Sequence, residues 1–236
     1  MNELNTAAYI ISGLIEIFLP IALGYYIIRK LKTSWKIWFI GALMFLVSLI
    51  RFPMNTYLTD LIISRGINTV TYWLIALIPS FTAGLFEEIA RYAGIRYLVS
   101  DYEYESGLTY EAGHGGIESI LLVGINVLTI GLILFSNPES LTATELFSIT
   151  SVPWYLPLFG AYERVMSIVI QISLSIMVLE TLRKNDIKYL VLAVMLHTIV
   201  NYLSLSAVSH SILYAEIMIT GFAIGLAQWA YTKIKV

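Results

Sequence analysis

Two adjacent glutamates and an arginine stand at one end of a long apolar stretch in the sequence GLFEEIARYAG. On a helix, Arg91 lies one turn from both Glu88, three residues before it, and Glu87, four residues before it. An arginine within reach keeps a carboxylate ionised and oriented. Because a carboxylate can accept a proton from water, this block has the residue types of an acid–base site.

Two further blocks each place a polar partner one helical turn after a histidine. His114 is followed by Glu118 in YEAGHGGIES, and His197 by Asn201 in MLHTIVNYL, inside an apolar stretch. Each pair alone is compatible with a structural role, since buried His and Asn commonly hydrogen bond between membrane helices. Two of the three histidines in the chain nevertheless have this spacing, so one site shared with the glutamates explains the blocks better.

The composition shows that lipid is the main solvent of this chain. Of its 236 residues, 58% are hydrophobic and 13% are charged, which is typical of an integral membrane protein. A net charge of -2 gives no reason to expect a nucleic-acid partner. The absence of cysteine excludes disulfides, thiolate ligands and a cysteine nucleophile. Ionisable groups inside lipid cost about 2.5–3.5 kcal/mol each, so the three blocks are expected to face one polar cavity.

The apolar stretches predict seven transmembrane helices in an all-α bundle, since a helix needs about 20 mostly apolar residues to cross the hydrocarbon. They are residues 7–28, 37–52, 69–98, 116–135, 154–182, 187–208 and 212–231. The sequence RFPMNTYLTDLIISRGIN, between the second and third stretches, predicts a short interfacial or re-entrant helix. No linker divides the chain, so we expect one membrane domain over 1–236, with the motifs in 84–201.

The distribution of basic residues predicts the orientation of the bundle. One set of loops and helix ends carries Arg29, Lys30, Lys32, Lys36, Arg91, Arg96, Arg183, Lys184, Lys188, Lys233 and Lys235. The opposite set carries only Arg51 and Arg65. Because basic residues favour the cytoplasmic side, we expect the amino terminus outside and the carboxyl terminus in the cytoplasm, in a prokaryotic cell membrane. The polar cavity is then expected in the cytoplasmic half.

The blocks EEIAR, YEAGHGGIE and HTIVN resemble the three motifs of a clan of membrane proteases. This clan contains the CAAX prenyl endopeptidases with their bacteriocin-processing relatives, the PrsW proteases and the YhfC-type membrane proteins. The YhfC type is the most similar, and its motifs correspond to Glu87, Glu88, Arg91, Tyr92, Gly113, His114, Gly115 and Glu118. The CAAX endopeptidases have three residues between the glutamate pair and the arginine, whereas this chain has two. The spacing therefore leaves open which glutamate faces the site.

The resemblance implies an intramembrane endopeptidase that acts on a membrane-associated peptide or protein. By this resemblance, Glu87 or Glu88 activates the hydrolytic water and Arg91 orients the pair. The site is completed by His114, His197 and Asn201. The sequence does not indicate the substrate itself or the oligomeric state.

Two mechanisms fit these residues. Without a metal, a glutamate is the base, His197 and Asn201 donate hydrogen bonds to the oxyanion, and His114 holds the water. With zinc, His114, His197 and Glu118 are the ligands, since two histidines and a carboxylate form a recognised catalytic zinc set. The zinc-protease signature, two histidines four residues apart on one helix with a glutamate between them, is absent. We therefore expect a metal-free reaction without a cofactor, with zinc as the alternative.

Two other classes of function stay open at this stage. A small transporter or proton relay also needs Glu, His and Arg inside the membrane, although we find no internal repeat of the kind that many transporters have. A noncatalytic scaffold of the same clan is the other alternative. The retained glutamate pair argues against that scaffold.

Several other polar residues are left outside the predicted site. Glu163 and Arg164 are adjacent and should point to divergent sides of their helix, so we expect them to find partners elsewhere and not each other. Glu16 and Gln171 are interpreted as structural. His210 is interpreted as a loop residue.

Overall fold

A computed structural model describes residues 3–208 and 211–234, and these ranges are helical without a strand. The helices are α1 Glu3–Leu31, α2 Trp35–Ser48, α3 Arg51–Ser64, α4 Thr69–Ala93, α5 Tyr104–Glu118, α6 Ile125–Ser136, α7 Ala143–Thr150, α8 Leu156–Lys184, α9 Lys188–Val208 and α10 Ile212–Ile234. A π-helical turn, Gly94–Val99, extends α4, and another, Ser119–Gly124, joins α5 to α6. His210 and Lys235 lie outside the described residues.

The predicted all-α bundle of seven spans is confirmed. The stretches long and apolar enough to cross a membrane are Glu3–Leu31, Trp35–Ser64, Thr69–Val99, Tyr104–Ser136, Leu156–Lys184, Lys188–Ala207 and Ile212–Ile234. Among them α8 is central, because 67% of its most apolar window is buried, against 33% or less in the other six. It packs on α1, α4, α5, α9 and α10. Side chains that project from α8 can therefore reach groups from most of the bundle.

The helix predicted after the second span forms as α3, but it continues α2. Leu49 and Ile50, which separate the two helices, both have helical backbone angles. We counted Arg51 with the basic residues of the outer set, but it lies inside the bundle, as the first residue of α3 and only 5% exposed. Its guanidinium group reaches the carboxylate of Glu87 in α4 at 2.8 Å.

An N-terminal cap fixes where α4 begins, and so where its polar block lies. The side chain of Asn68 accepts hydrogen bonds from the backbone N–H groups of Val70 and Thr71, at 2.9 and 3.0 Å. The hydroxyl of Thr71 in turn accepts from the backbone N–H of Asn68 at 2.7 Å. This reciprocal capping box satisfies donors that the first turn leaves free.

Glycines allow two pairs of helices to approach until their backbones touch. A Cβ atom on Gly113 of α5 would lie 1.9 Å from the backbone oxygen of Trp38 in α2, and one on Gly41 would lie 1.9 Å from that of Tyr110. Between α4 and α9, a Cβ on Gly84 would lie 2.8 Å from the backbone oxygen of Val194. Small residues provide such close contacts between membrane helices. The contact with α9 brings His197 close to the helix that carries Glu87 and Glu88, and the contact of α2 with α5 packs Phe45 against His114.

We predict that Gly113→Ala destabilises the protein, because the added methyl group meets backbone that must shift. Overpacking of this kind costs about 1–3 kcal/mol. Gly225→Ala is the matched control, since a Cβ there meets nothing within 4 Å. Thermal unfolding of the purified protein in detergent should show a lower Tm for Gly113→Ala alone. Equal Tm values for the two variants would contradict the close α2–α5 contact.

The orientation of the bundle stays a prediction, and reporter fusions test it. A reporter that works only in the cytoplasm should be active after residue 236, and one that works only outside should be active within 137–142, between α6 and α7. The distribution of basic residues is the reason for both expectations. The reverse pattern of activities would show that the bundle is inverted.

Candidate active site

Arg91 of α4 is fully buried and binds side chains from three helices. Its Nε donates to Glu111 Oε2 of α5 at 2.9 Å, and its Nη2 donates to Gln171 Oε1 of α8 at 2.7 Å. Its Nη1 donates to Glu88 Oε2 on its own helix, as the spacing of three residues predicted. The predicted pairing of Arg91 with the glutamate block is therefore confirmed for Glu88.

Glu88 also fixes the ring of His197. Its second oxygen, Oε1, lies 2.7 Å from His197 Nδ1, and Glu88 is completely buried. A carboxylate that is paired with an arginine can only accept hydrogen bonds, so Nδ1 is the nitrogen that donates. In a neutral imidazole the other nitrogen, Nε2, is then free to accept a proton or bind a metal.

Glu87 is the carboxylate on which the histidines converge. Its Oε1 pairs with Arg51 Nη2 at 2.8 Å. Its Oε2 lies 3.6 Å from His114 Nε2 and 3.9 Å from His197 Nε2, and it accepts a hydrogen bond from Gln171 Nε2 at 3.2 Å. Arg51 thus holds one oxygen, and the other oxygen faces groups from α5, α8 and α9.

His114 is held by packing, because neither ring nitrogen has a hydrogen-bond partner among the described residues. The ring is fully buried, with its edge toward Phe45 at 5.3 Å between centroids and its face toward Tyr110 at 6.0 Å. Buried polar atoms without a partner are rare in proteins and usually mark an ordered water, an ion or a catalytic role. Both nitrogens of His114 are therefore available to a ligand.

Gln171, which the sequence analysis interpreted as structural, connects the buried groups to a cavity. Its Nε2 donates to Glu87 Oε2 and also to Glu118 Oε2, the latter at 3.0 Å. Its Oε1 accepts from Arg91, so every polar atom of the amide is used. Glu118 is brought to the site through this amide.

A cavity of about 290 Å³ lies between α4, α8, α9 and α10. It is lined by Pro79, Ser80, Glu118, Glu163, Arg164, Ser167, Ile170, Gln171, His197, Val200, Asn201, Ser204, Leu205 and Ile219. The predicted convergence of Glu87, Glu88, His114 and His197 is confirmed by their distances. Of these four residues, however, only His197 lines the cavity, so the other three lie behind its wall.

The cavity lies toward the end of the bundle where α8 begins, since its lining residues on α8 fall within 163–171 of a helix that runs from 156 to 184. Of its lining residues, Leu205 near the end of α9 is 53% exposed, whereas His197 is 4% exposed. On the other side of the site, Ile95 and Leu174 are completely buried in the apolar core and close the bundle. In the predicted orientation, which stays untested, this position would be toward the outer side of the site, whereas we expected the cavity in the cytoplasmic half.

Arg164 pairs with its sequence neighbour, so our expectation that Glu163 and Arg164 do not pair was wrong. Arg164 Nη2 lies 2.9 Å from Glu163 Oε1, and its Nη1 lies 3.6 Å from Glu118 Oε1. Adjacent Cβ atoms diverge on a helix, but the long guanidinium side chain curls back along the cavity wall. Arg164 thereby connects Glu118 with Glu163, and all three side chains line the cavity.

Three residues of the site were missed by the sequence analysis. Glu111 lies three residues before His114, on the same helical face, which is a signal inside the motif that we quoted. Gln171 is an uncharged polar residue in an apolar stretch, a pattern that often has only a structural meaning. Arg51 lies near the end of the predicted span 37–52, where a basic residue is ordinarily interpreted as a charge at the membrane surface.

The donor chemistry of the site fits zinc, although no three His, Asp or Glu side chains in the described ranges stand at metal-binding spacing. The nitrogens of His114 are unpaired, and both Nε2 atoms face Glu87 Oε2 within 4 Å. Two imidazoles and a carboxylate form a recognised set of zinc ligands. Small side-chain movements would bring these donors together.

The charge of the buried network also favours a cation. Five carboxyl groups, on Glu87, Glu88, Glu111, Glu118 and Glu163, contact three guanidinium groups, on Arg51, Arg91 and Arg164. When all of them are ionised, the network carries two surplus negative charges. Protonation of the network or a divalent cation would balance this surplus.

Comparison with known proteins identifies the family of the chain. No solved structure matches it. The "Uncharacterized membrane protein YhfC" of Bacillus subtilis (strain 168) is 29% identical over 215 residues, which cover 81% of this chain and 80% of that protein. The model of the family described as YhfC intramembrane metalloprotease matches residues 15–223, a range that contains all the predicted site residues. The chain therefore belongs to the YhfC intramembrane metalloprotease family, in agreement with the resemblance of its motifs.

Proposed function

We propose that this protein is an endopeptidase that hydrolyses a peptide bond of a membrane-associated substrate at the site around Glu87. The observation that carries the proposal is the position of Glu87 Oε2, which lies within 4 Å of nitrogens from His114, Gln171 and His197. These polar groups come from four helices inside a membrane bundle, where each of them is costly. A reaction that needs a base, a proton donor and a polarised water accounts for that cost.

The surrounding residues position the reacting groups. Arg51 holds Glu87 Oε1, so that Oε2 stays directed at the two histidines. Glu88 holds His197 through Nδ1, so that Nε2 faces the same point. Such second contacts to a catalytic or metal-binding histidine fix its tautomer and its orientation. We therefore assign Glu87 to the reacting position and Glu88 to the positioning of His197.

The residues support the zinc alternative more than the metal-free reaction that we expected from the sequence. His114 has no other partner in the described ranges, and the buried network carries surplus negative charge. His114, His197 and Glu87 would hold the ion, with Glu118 as the alternative carboxylate. A bound zinc ion would lower the pKa of its water and polarise the substrate carbonyl.

We assign proton transfer and oxyanion stabilisation to residues that line the cavity. Glu118 accepts a hydrogen bond from Gln171, and 16% of its side chain is exposed to the cavity. A carboxyl group there can accept a proton from water and pass it to the leaving amine. Asn201 lies one turn after His197 in the cavity wall, and its amide N–H can donate to the developing oxyanion.

We predict that Glu87→Gln and Glu118→Gln both lower cleavage, but only the first lowers bound zinc. Loss of a general acid or base typically costs about 10²–10⁴ in rate. Glu87→Gln also removes a ligand, whereas Glu118→Gln leaves the ligand set in place. The measurements are cleavage of single-span peptides in detergent, followed by mass spectrometry, and elemental analysis of the purified variants. Glu139→Gln, an exposed change outside the site, is the control.

Other outcomes of this experiment separate the alternatives. Loss of activity in Glu87→Gln together with indifference to chelator and added zinc would favour the metal-free glutamate mechanism. Wild-type rates in Glu87→Gln would contradict the assignment of Glu87. If no peptide is cleaved, but the protein carries an ion flux that Glu87→Gln blocks, then the chain is a transporter and the protease proposal fails.

A further inference from the structure

A second pocket with polar side chains lies beside the cavity of the candidate active site. Glu163 of α8, Ser204 of α9 and Glu216 of α10 line a space of about 150 Å³ together with apolar residues. The pocket shares Glu163, Ser204, Leu205 and Ile219 with the cavity of the candidate active site. The two spaces are therefore adjacent. At about 30 Å³ for each water molecule, the pocket has room for several waters or for one polar head group.

Two buried acceptors in this pocket have no partner among the described residues. They are Glu216 Oε2 and Ser204 Oγ. Glu216 is 6% exposed and lies in a transmembrane helix, where a carboxylate is costly to keep. The proposed reaction does not use either group. Buried polar atoms without a partner are rare, and a ligand that donates hydrogen bonds would satisfy both of these atoms on residues that line one pocket.

The charges around the pocket indicate whether that ligand is a cation or an anion. Arg164 is bound to Glu163 and Glu118. Glu216 lines the same pocket as Glu163. The pocket and the contacts of Arg164 thus include three carboxyl groups, on Glu118, Glu163 and Glu216, and one guanidinium group. A cation is stabilised at such a place, and an anion is repelled.

We propose that the pocket formed by Glu163, Ser204 and Glu216 binds the ammonium or guanidinium group of a Lys or Arg side chain of the substrate. This inference rests on the proposed function, because the pocket shares four lining residues with the cavity where cleavage would occur. A charged donor that meets a buried carboxylate and a hydroxyl forms charge-assisted hydrogen bonds. Binding there fixes the distance between the basic residue and the peptide bond that is placed at Glu87.

The pocket is tested first by binding, without any cleavage. The probe is pentylammonium chloride, added to the full-length protein in detergent, with 1-pentanol as the uncharged control. Pentylammonium should raise the Tm of the wild type and of Glu139→Gln, because a ligand that binds the folded state stabilises it. In Glu216→Gln its apparent Kd should weaken by about 10- to 100-fold, the effect of one lost charge-assisted hydrogen bond. An equal response to pentylammonium in wild type and Glu216→Gln would overturn the proposal.

The second test is specificity of cleavage. Single-span peptides that carry Lys, norleucine or Glu at one scanned position are compared by mass spectrometry. The wild type should cleave the Lys peptide fastest, at a bond a fixed number of residues from the lysine. Glu216→Gln should lose this preference and keep its rate on the norleucine peptide. Equal cleavage of the Lys and norleucine peptides at every position would overturn the pocket while leaving the endopeptidase proposal intact.

Two remaining outcomes are also decisive. If Glu216→Gln does not fold, Ser204→Ala removes the second acceptor, and an unchanged Kd for pentylammonium in that variant contradicts the pocket. If no peptide is cleaved, the proposed function fails. The pocket is then tested by binding alone, and a wild type that does not bind pentylammonium contradicts it.

Discussion

The guanidinium group of Arg91 is the constraint on which the rest of the site depends. A buried charge is costly unless it is paired and hydrogen bonded, and removal of one partner leaves an uncompensated charge. Arg91 finds these partners on three helices, in Glu88, Glu111 and Gln171. Glu88 then extends the network to α9 through His197. Because lipid offers helices little apolar driving force for association, such polar contacts give the bundle a specific arrangement.

This network gives the two adjacent glutamates different contacts. Both oxygens of Glu88 are engaged, so this residue cannot act on a substrate without breaking the contacts of Arg91 or His197. Glu87 has one oxygen engaged by Arg51 and the other directed at the histidines. The division of roles that we propose for these two adjacent carboxylates thus follows from the different contacts that each one makes.

The sequence allowed prediction of the spans and of the meeting of the three blocks, but not of the partners within the site. Hydropathy identifies a span because length and composition are local properties, and the cost of buried charge implies that polar groups meet. Which carboxylates Arg91 binds depends on the contact of α4 with α5 and α8. The pairing of Glu163 with Arg164 depends on the path of a long flexible side chain. The direction of the cavity depends on where apolar residues such as Ile95 close the bundle, which is a property of the whole packing.

Gln171 shows how the buried network is connected to the space where a substrate would bind. Arg91 can only donate hydrogen bonds, so the oxygen of the Gln171 amide must face it and the nitrogen must face the carboxylates. The two hydrogens of that nitrogen then serve Glu87, behind the wall, and Glu118, in the cavity. One planar amide thereby sets the relative position of the two carboxylates that we assign to the reaction. The charge of Arg91 fixes the orientation of this amide. Arg91 does not line the cavity, but it thereby determines how the carboxyl group of Glu118 is placed in the cavity wall.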